Sequence, residues 1–429
     1  MSLFTTINTG VSGLGANGLG LSVTGDNIAN INTVGFKGSS AEFKDLLMQE
    51  LGGDRGKMGM GAFTGRVRQG FGQGSIETTS NAADMAIDGK GFFQVKDELG
   101  APFYTRAGQF TLNTNGNLVT LSGHKLQGYT VSAAGNLSST VDDVIIPTTP
   151  LLGIATDEVA VSASLSGDQN FPVGVLAGPA IFDDISTNPG TVTTSTTIYD
   201  SLGNAHDVTL AYTKSAGVNT WDFQAFIDAG EAGGTAGQPQ QISSGTLVFD
   251  NQGNLNPAAS TAPTGVAVTF DGAAAQTVGF DFGLVAGDTG AITQRGLADI
   301  DVAEIIPNGN PPGALTGFDI GNDGVITGVY NNGQTRTLGQ VAIASFRGEE
   351  YLTRSGNNLW QQSVDSGEPA VGRPGEGSRG DTISYALEMS NVDLEKQFVK
   401  LIQSQKGYQA STRVVSTAND LLEQLLQTL

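Results

Sequence analysis

The last forty residues of the 429-residue chain carry a seven-residue repeat, and this repeat constrains the fold more than any other feature. An alternation of four-residue and three-residue steps gives eight apolar members out of eleven: Leu394, Phe398, Leu401, Gln405, Tyr408, Thr412, Val415, Asn419, Leu422, Leu426 and Leu429. Such a stripe is typical of a helix that is buried along one seam. We therefore predict a helix over 392–428, with Ser390 and Asp393 as its N-cap pair.

A weaker stripe with the same spacing occupies the N-terminus. Its members are Ile7, Val11, Leu14, Gly18, Leu21, Gly25 and Ile28. Six glycines lie within the first thirty residues, and each interior glycine weakens a helix by about 1 kcal/mol relative to alanine. We expect this helix to become ordered only when it packs against a partner. The alternative is an ordinary core helix within a monomer.

The two stripes occupy opposite ends of the chain, so we expect the terminal helices to lie side by side. No other core is available in the sequence for their apolar faces, which favours burial against further copies of the chain. The predicted assembly seam consists of Ile7, Val11, Leu14, Leu21, Ile28, Leu394, Phe398, Leu401, Tyr408, Val415, Leu422, Leu426 and Leu429.

The residues between the helices are predicted to be mainly β-structure. Segments such as Gly91–Tyr129 and Thr194–Ile227 alternate apolar and polar residues around turn signals. Asn115-Gly116 and Asn332-Gly333 are hairpin signals. Trp221 is the expected anchor of a buried core.

A short internal repeat suggests how the β-structure is divided. "FYTRAGQF" (Phe103–Phe110) and "YLTRSGNNL" (Tyr351–Leu359) share a Thr-Arg-small-Gly core, on either side of an acidic region. The predicted fold class is a mainly β multidomain protein with α-helical coiled-coil termini and discontinuous, nested domains. The predicted bounds are 1–30 and 386–429 for the terminal helical domain, 31–75 for an extended Gly-rich connector, 76–145 and 313–385 for a β domain, and 146–312 for an inserted acidic outer β domain.

Charge and composition exclude several classes of partner. Of the net charge of −21, residues 141–290 contribute sixteen acidic side chains against one basic side chain, Lys214. Such a surface repels polyanions, so no nucleic-acid partner is expected. The absence of cysteine excludes disulfides and thiolate chemistry. We see neither a secretory leader nor a run of about 20 apolar residues, so no membrane insertion is expected, and the protein is expected either to be cytoplasmic or to leave the cell by a route without a cleaved signal peptide.

The motifs that resemble catalytic or binding sites lack the required context. Gly13–Gly18 fits the dinucleotide pattern G-x-G-x-x-G, but it has no preceding βαβ unit. Asp319 and Asp323 resemble a calcium loop without its other charged ligands, which favours a hairpin turn. His124 and His206 have no zinc-ligand spacing and are expected at the surface or in turns. We predict no enzyme activity, no catalytic residue, no metal site and no cofactor.

Two stretches resemble a known family. "ANINTVGFK" (Ala29–Lys37) and "ALEMSNVDLEKQFVKLIQSQKGYQASTRVVSTANDLLEQLL" (Ala386–Leu426) are similar to the axial proteins of the bacterial flagellum, which comprise rod and hook subunits. "DGKGFFQV" (Asp88–Val95) and "GVYNNGQTRTLGQVAIASF" fit the same family. "IYDSLGNAHDVTLAYTK" (Ile198–Lys214) is similar to the large insertion of the hook-type members.

The resemblance implies a structural subunit that assembles into a curved, flexible tube around an export channel and passes torque from rod to filament. It implies a homopolymer whose partners are rod proteins, a hook cap, hook–filament junction proteins and the type III export apparatus, located in the extracellular hook and basal body. The family connector would be formed here by Asn30, Asn32, Gly35, Phe36 and Lys37, with Phe36 buried against a neighbour. The alternatives are a distal rod or hook-associated protein and, outside the family, a secreted β-rich adhesin or enzyme with a helical stalk.

Overall fold

The computed structural model describes residues 3–47, 59–132, 135–168, 170–284, 290–296 and 301–427. The chain forms two compact units. Unit 1 comprises Met1–Thr148, Thr316–Val329 and Thr335–Leu429, and unit 2 comprises Thr149–Leu315 and Tyr330–Gln334. The main segment of unit 2 therefore begins at 149 rather than the predicted 146, and it ends at 315 rather than 312.

The described residues contain three α-helices: α1 (Leu3–Ala29), α2 (Phe182–Ser186) and α3 (Leu394–Gln427). The expectation that the terminal helices lie side by side is confirmed, because α1 packs against α3 within unit 1. Asp26 is the only charged residue of α1. No helix in the described part of the chain combines the length and apolarity that a membrane span requires.

The remaining regular structure consists mainly of strands. Those of the first half of the chain are β1 (Ser39–Leu47), β2 (Gly59–Gln69), β3 (Ile76–Thr78), β4 (Met85–Asp88), β5 (Phe92–Lys96), β6 (Pro102–Thr105), β7 (Phe110–Leu112), β8 (Leu118–Thr120), β9 (Lys125–Val131), β10 (Leu137–Asp143), β11 (Glu158–Ser166), β12 (Thr191–Tyr199) and β13 (Ala205–Lys214). Those of the second half are β14 (Thr220–Asp228), β15 (Pro239–Val248), β16 (Thr261–Gly265), β17 (Gly279–Asp281), β18 (Ala291–Arg295), β19 (Asp301–Pro307), β20 (Leu315–Ile320), β21 (Val325–Tyr330), β22 (Thr335–Val341), β23 (Ile343–Ser345), β24 (Thr353–Gly356), β25 (Leu359–Gln361), β26 (Ala370–Gly372), β27 (Asp381–Ser384) and β28 (Ala386–Glu388).

The segment predicted as an extended connector at 31–75 differs from that expectation. Its strands β1 and β2 pair in antiparallel fashion, from Ser39 opposite Gln69 onwards, so this part of the chain folds back on itself. Both strands lie against α1. Gly61, with φ of +102°, allows the close approach, since a Cβ there would lie 2.1 Å from Ser12 Oγ. Packing on a small-residue helix explains the folded-back arrangement, which the glycine content alone did not indicate.

Unit 1 is built on a thirteen-stranded sheet whose longest path runs β20-β21-β22-β9-β5-β6-β25-β24. Strands from before and after unit 2 are neighbours in this sheet: β25 pairs with β6, placing Trp360 opposite Tyr104. The two Thr-Arg-small-Gly repeats therefore lie at β6 and β24, on either side of β25 in one sheet. Trp360, Tyr104, Phe92 and Phe346 form a buried cluster over it.

Unit 2 contains a five-stranded sheet, β12 to β16 in order. It also contains a four-stranded sheet in which β11 pairs with each of β17, β18 and β19. Its core is rich in aromatic residues. Trp221 is fully buried, as the sequence predicted, and the Phe223 ring lies 4.7 Å from the Phe282 ring.

The predicted turns at Asn115-Gly116 and Asn332-Gly333 are confirmed by left-handed glycines, with φ of +80° and +79°. Gly324 likewise lies in a turn between β20 and β21, at the Asp319–Asp323 motif that resembles a calcium loop and for which a turn is predicted. His206 departs from the expectation of a surface residue. Its ring stacks on Phe270 at 3.7 Å, and its two nitrogens face the carboxylates of Asp200 and Glu231.

Candidate assembly site

The α1–α3 interface is made of small residues. A Cβ added at Gly10 would lie 2.8 Å from Val415 Cγ2, and one added at Gly13 would lie 2.8 Å from Ser411 Oγ. Gly20 meets Ser404 in the same way. Partners on α3 move toward its N-terminus as positions on α1 advance, so the helices are antiparallel. Glycine and serine allow the two backbones to approach closely over several turns.

The interface continues to the end of α1 through polar side chains. A Cβ at Gly407 would lie 2.5 Å from Asn17 Oδ1. Further along, Asn27 Nδ2 donates a hydrogen bond to Gln397 Oε1 at 3.3 Å. Ala16 of α1 and Ala418 of α3 are among the few buried apolar residues of the pair.

The apolar stripe predicted on α1 lies beside this interface rather than in it. The contact positions at Gly10, Gly13 and Gly20 each precede a stripe member, and one residue corresponds to about 100° of rotation around a helix. Val11 is 53% exposed. The other large apolar members of the stripe are half-buried: Ile7, Leu14, Leu21 and Ile28.

The predicted stripe on α3 divides into two sets. Leu401, Val415 and Leu422 are half-buried, and Val415 faces Gly10 of α1. The exposed set consists of Leu394, Phe398, Tyr408 and Leu426, together with Val399, Ile402, Val414 and Leu421, which were not predicted. Leu429 lies outside the described residues. Val415 of the α3 stripe therefore lies within the intrachain contact, whereas the exposed stripe members lie outside it, and the part of the stripes in assembly stays a prediction.

Capping at the start of α3 explains its position. Asp393 Oδ1 accepts a hydrogen bond from the Lys396 backbone N–H at 3.1 Å, which is the N-cap interaction. The hydrogen bond from the Lys396 side chain, followed by that from its backbone, lowers the pKa of the Asp393 carboxyl. Ser390 plays a smaller part, since its Oγ accepts from the Val392 N–H at 3.3 Å.

The polar segment after α1 returns the chain to the β-structure. Asn30 Nδ2 donates to the carbonyl of Asp26 at 2.9 Å, closing the last turn of the helix. The Asn27 amide then pairs with the backbone of Ser39 in both directions, at 2.7 and 2.8 Å. Gly35 has the left-handed conformation expected, with φ of +67°, and a Cβ there would lie 2.4 Å from the Ala107 nitrogen.

Phe36 and Asn32 of the connector differ in their burial. Phe36 is only 1% exposed and lies within its own chain, under the guanidinium of Arg354. The expectation that Phe36 is buried against a neighbour is therefore wrong, because the side chain is already buried within its own subunit. Asn32 is exposed.

A buried charge cluster joins this segment to the strand that leads to α3. The Lys37 ammonium donates to Glu388 Oε1 at 2.6 Å, and Arg106 donates to Glu388 Oε2 at 3.2 Å. The side chains of Lys37 and Glu388 are fully buried. Burial lowers the pKa of Lys37 and that of Arg106, while the Glu388 carboxylate acts in the opposite direction. Removing one member would leave an uncompensated buried charge.

Asn391 also contributes to the junction between the segment after α1 and the strand that leads to α3. Its Oδ1 accepts from the Gly38 N–H at 2.8 Å, and its Nδ2 donates to the carbonyls of Gly70 and Gly72. Sequence reasoning selected Lys37 but missed Asn27, Arg106, Glu388 and Asn391. The available signal was position in the sequence: Asn27, Glu388 and Asn391 lie within or beside a family motif, and Arg106 lies in the Thr-Arg-small-Gly repeat.

Four family models match the chain, and together they span most of it. They are described as Flagella basal body rod protein (residues 7–37), Flagellar hook protein FlgE/F/G D1 domain (86–167), Flagellar basal body protein FlaE D2 domain (168–310) and Flagellar basal body rod FlgEFG protein C-terminal (383–428). The flagellar hook protein FlgE of Salmonella typhimurium is 33% identical over 424 residues, which is 97% of this chain and 98% of that protein. The chain belongs to the flagellar hook protein family.

Other members of the hook protein family agree with this assignment. The flagellar hook protein FlgE of Rhizobium meliloti is 33% identical over 99% of each chain. The crystal structure of the Helicobacter pylori flagellar hook protein FlgE2 matches with a TM-score of 0.51 at 16% identity, covering 73% of this chain and all of that one. That likeness concerns the fold. The chain is thus, by homology, a structural protein of the flagellar hook and basal body.

Proposed function

We propose that this chain is the subunit of a flagellar hook, and that it assembles by burying the free apolar faces of α1 and α3 against further copies of itself. The observation that carries the proposal is that different side chains of the two helices lie in the intrachain contact and on the exposed faces. Small residues form the intrachain contact, whereas Val11, Phe398 and Ile402 remain about half exposed. An exposed apolar face of this length on a soluble protein marks an interaction surface.

The nearly uncharged surface of α1 supports the same proposal. Over twenty-seven residues the helix has one charge, Asp26. Solvent-facing helices ordinarily carry charged residues on their free side. In a tube of subunits, this side of α1 would lie between neighbours.

Family membership supports the finer parts of the proposal. The assembled tube would be curved and flexible, would pass torque from the basal-body rod to the filament and would enclose the export channel. Its ends would meet rod proteins, the hook cap and the hook–filament junction proteins. The subunit would reach the extracellular hook through the type III export apparatus, which predicts that a strain without that apparatus retains the protein in the cytoplasm.

The test of assembly compares two neighbouring side chains of α3. Ile402 is apolar and 54% exposed, and Gln403 is polar and also exposed. Burial of an isoleucine at an interface is worth about 2 kcal/mol, so Ile402→Ser should raise the critical concentration for polymerisation roughly thirtyfold. Gln403→Ser is the matched control and should leave it unchanged.

Electron microscopy of the purified full chain under polymerising conditions gives the outcome. Curved tubes with the expected difference between the two variants would support the proposal. Straight tubes would favour a rod subunit instead. Protein that stays monomeric, or an Ile402→Ser variant that polymerises like the control, would refute assembly through this face.

A further inference from the structure

The two Thr-Arg-small-Gly repeats each provide an arginine that contacts a terminal helix, or the strand leading to it, from the opposite half of the chain. Arg106, which precedes unit 2 in the chain, bonds to Glu388 in the strand that leads to α3. Arg354, which follows unit 2, bonds to Asp26 in the last turn of α1. Arg106 directly follows β6 and Arg354 lies in β24, and these two strands flank β25 in the sheet of unit 1. Each helix is thus tied to the sheet by an arginine from the opposite half of the chain.

The Arg106 contact is enclosed. Arg106 is 2% exposed, and Glu388 and Lys37 are fully buried beside it. Arg106 also donates to the carbonyl of Gly89 at 2.8 Å. Breaking this cluster would leave charges in a low-dielectric interior, which is strongly unfavourable. It is a fixed point of the junction.

The Arg354 contact is open to solvent. Arg354 NH1 lies 3.0 Å from Asp26 Oδ2, with the two side chains 33% and 45% exposed. The Arg354 guanidinium lies 5.1 Å above the Phe36 ring, so the side chain can leave Asp26 and still rest on an aromatic face. Exposed ion pairs contribute little net stability and are screened by salt.

The β1–β2 strands are attached by the same kind of contact, from the same segment. Glu350 Oε2 lies 3.9 Å from Arg66 NH2 and 3.8 Å from Arg68 NH1, beyond hydrogen-bond distance. Arg66 also lies 5.2 Å from the Tyr351 ring centroid. Residues 350–354 therefore contact α1 at one end and the strands beside it at the other, through partly exposed charged side chains and the side chain of Tyr351.

We propose that Arg354 is a positioning residue whose contact with Asp26 opens and closes, so that the terminal helices change their angle on the sheet of unit 1 while the Arg106–Glu388–Lys37 cluster stays closed. The proposal rests on the proposed function, in which subunits of a bent tube must differ in shape at little energetic cost. The buried cluster is the point about which the helices rotate, and the Arg354–Asp26 contact limits how far they rotate.

The absence of cysteine makes the movement directly measurable in the full chain. Cysteines introduced at Ser22 in α1 and at Val364 in the turn between β25 and β26 of unit 1, both exposed, can carry spin labels. Electron–electron resonance then gives the distribution of distances between them. The comparison uses Arg354→Gln, Asp26→Asn and the matched control Arg336→Gln, which changes an exposed arginine elsewhere in the same sheet.

We expect Arg354→Gln and Asp26→Asn to broaden the distance distribution at low salt, and Arg336→Gln to leave it unchanged. Raising sodium chloride from about 50 to about 500 mM should broaden the distribution of the parent protein and have little further effect on the two variants. Amide exchange in the last turns of α1 should rise by no more than about fivefold in Arg354→Gln. Glu388→Gln should raise it by more than about a hundredfold.

The proposal is overturned if Arg354→Gln has the parent distribution at both salt concentrations, or if it disturbs α1 as strongly as Glu388→Gln. Because Glu388→Gln can prevent folding, the decision rests on Arg354→Gln and Asp26→Asn. In assembled tubes, Arg354→Gln should alter curvature without altering the critical concentration. If the parent protein forms no tubes, the proposed function fails, while the spin-label distances still decide the present inference.

Discussion

The α1–α3 interface and the core of unit 2 bury different kinds of side chain. The helices meet through Gly10, Gly13 and Ser411, and keep Val11 and Phe398 outside. The sheets of unit 2 enclose aromatic residues from both layers, including the fully buried Trp221. A core of that kind accounts for the stability of a unit by itself. A contact of small residues brings backbones together but leaves apolar surface that another molecule can cover.

The largest expected effect concerns the core of unit 2. Trp221→Ala should lower the free energy of unfolding of this unit by about 3–5 kcal/mol, because it removes a large buried side chain. Urea-dependent amide exchange of β13 and β14 measures the loss. Val218→Ala, at a position 83% exposed, is the control and should change it by less than about 0.5 kcal/mol. An equal loss of protection in α1 and α3 would contradict the distinction between the two regions.

An intermediate effect concerns the glycines of α1. Gly15 is exposed and a Cβ there meets nothing within 4 Å, so Gly15→Ala should stabilise the helix by about 0.5–1 kcal/mol. Gly10→Ala is the same change at the interface, where the Cβ would lie 2.8 Å from Val415 Cγ2. Overpacking should make it net destabilising by about 1–2 kcal/mol. Amide exchange of α1 compares the two, and equal stabilisation by both would show that close approach does not require Gly10.

The smallest effect concerns the N-cap of α3. The folded-state pKa of Asp393 is lowered by its bonds to Lys396, so its contribution is fully present above the unfolded value of 3.8 and is lost as pH falls through the folded value. Below about pH 4 we therefore expect faster amide exchange in the first turn of α3. Asp393→Asn retains a capping side chain without the titration, and its exchange should not show this step. A step of the same size in the variant would assign it to another group.

The part of the fold and of the assembly site that could be predicted depended on the kind of sequence pattern. The period of four and three residues identified both terminal helices, because a helix displays its neighbours at that spacing whatever it packs against. It did not identify the packed face. The intrachain contact uses glycine and serine, which a search for apolar stripes ignores, so only some of the predicted seam residues, such as Val415, lie in it.

The junction was less accessible to sequence reasoning. Lys37 and Glu388 are separated by 351 positions, and no local pattern indicates that one neutralises the other. Arg106 and Arg354 were noticed as a repeat, but the repeat gave no indication that one is buried and the other exposed. The hairpin of β1 and β2 was hidden for a related reason, since its glycines are equally compatible with an extended connector.

The sequence by itself determined the elements and their class: helices at both ends, a β body with glycine turns and an acidic unit inserted within it. These follow from local periodicity and turn chemistry, which act over a few residues. Only the tertiary structure decided which faces of the helices meet, that Phe36 is covered by its own chain, and that a buried charge cluster joins the roots of α1 and α3. Those features depend on contacts between residues far apart in the chain, and their energies come from burial and pairing that exist only once the chain has folded.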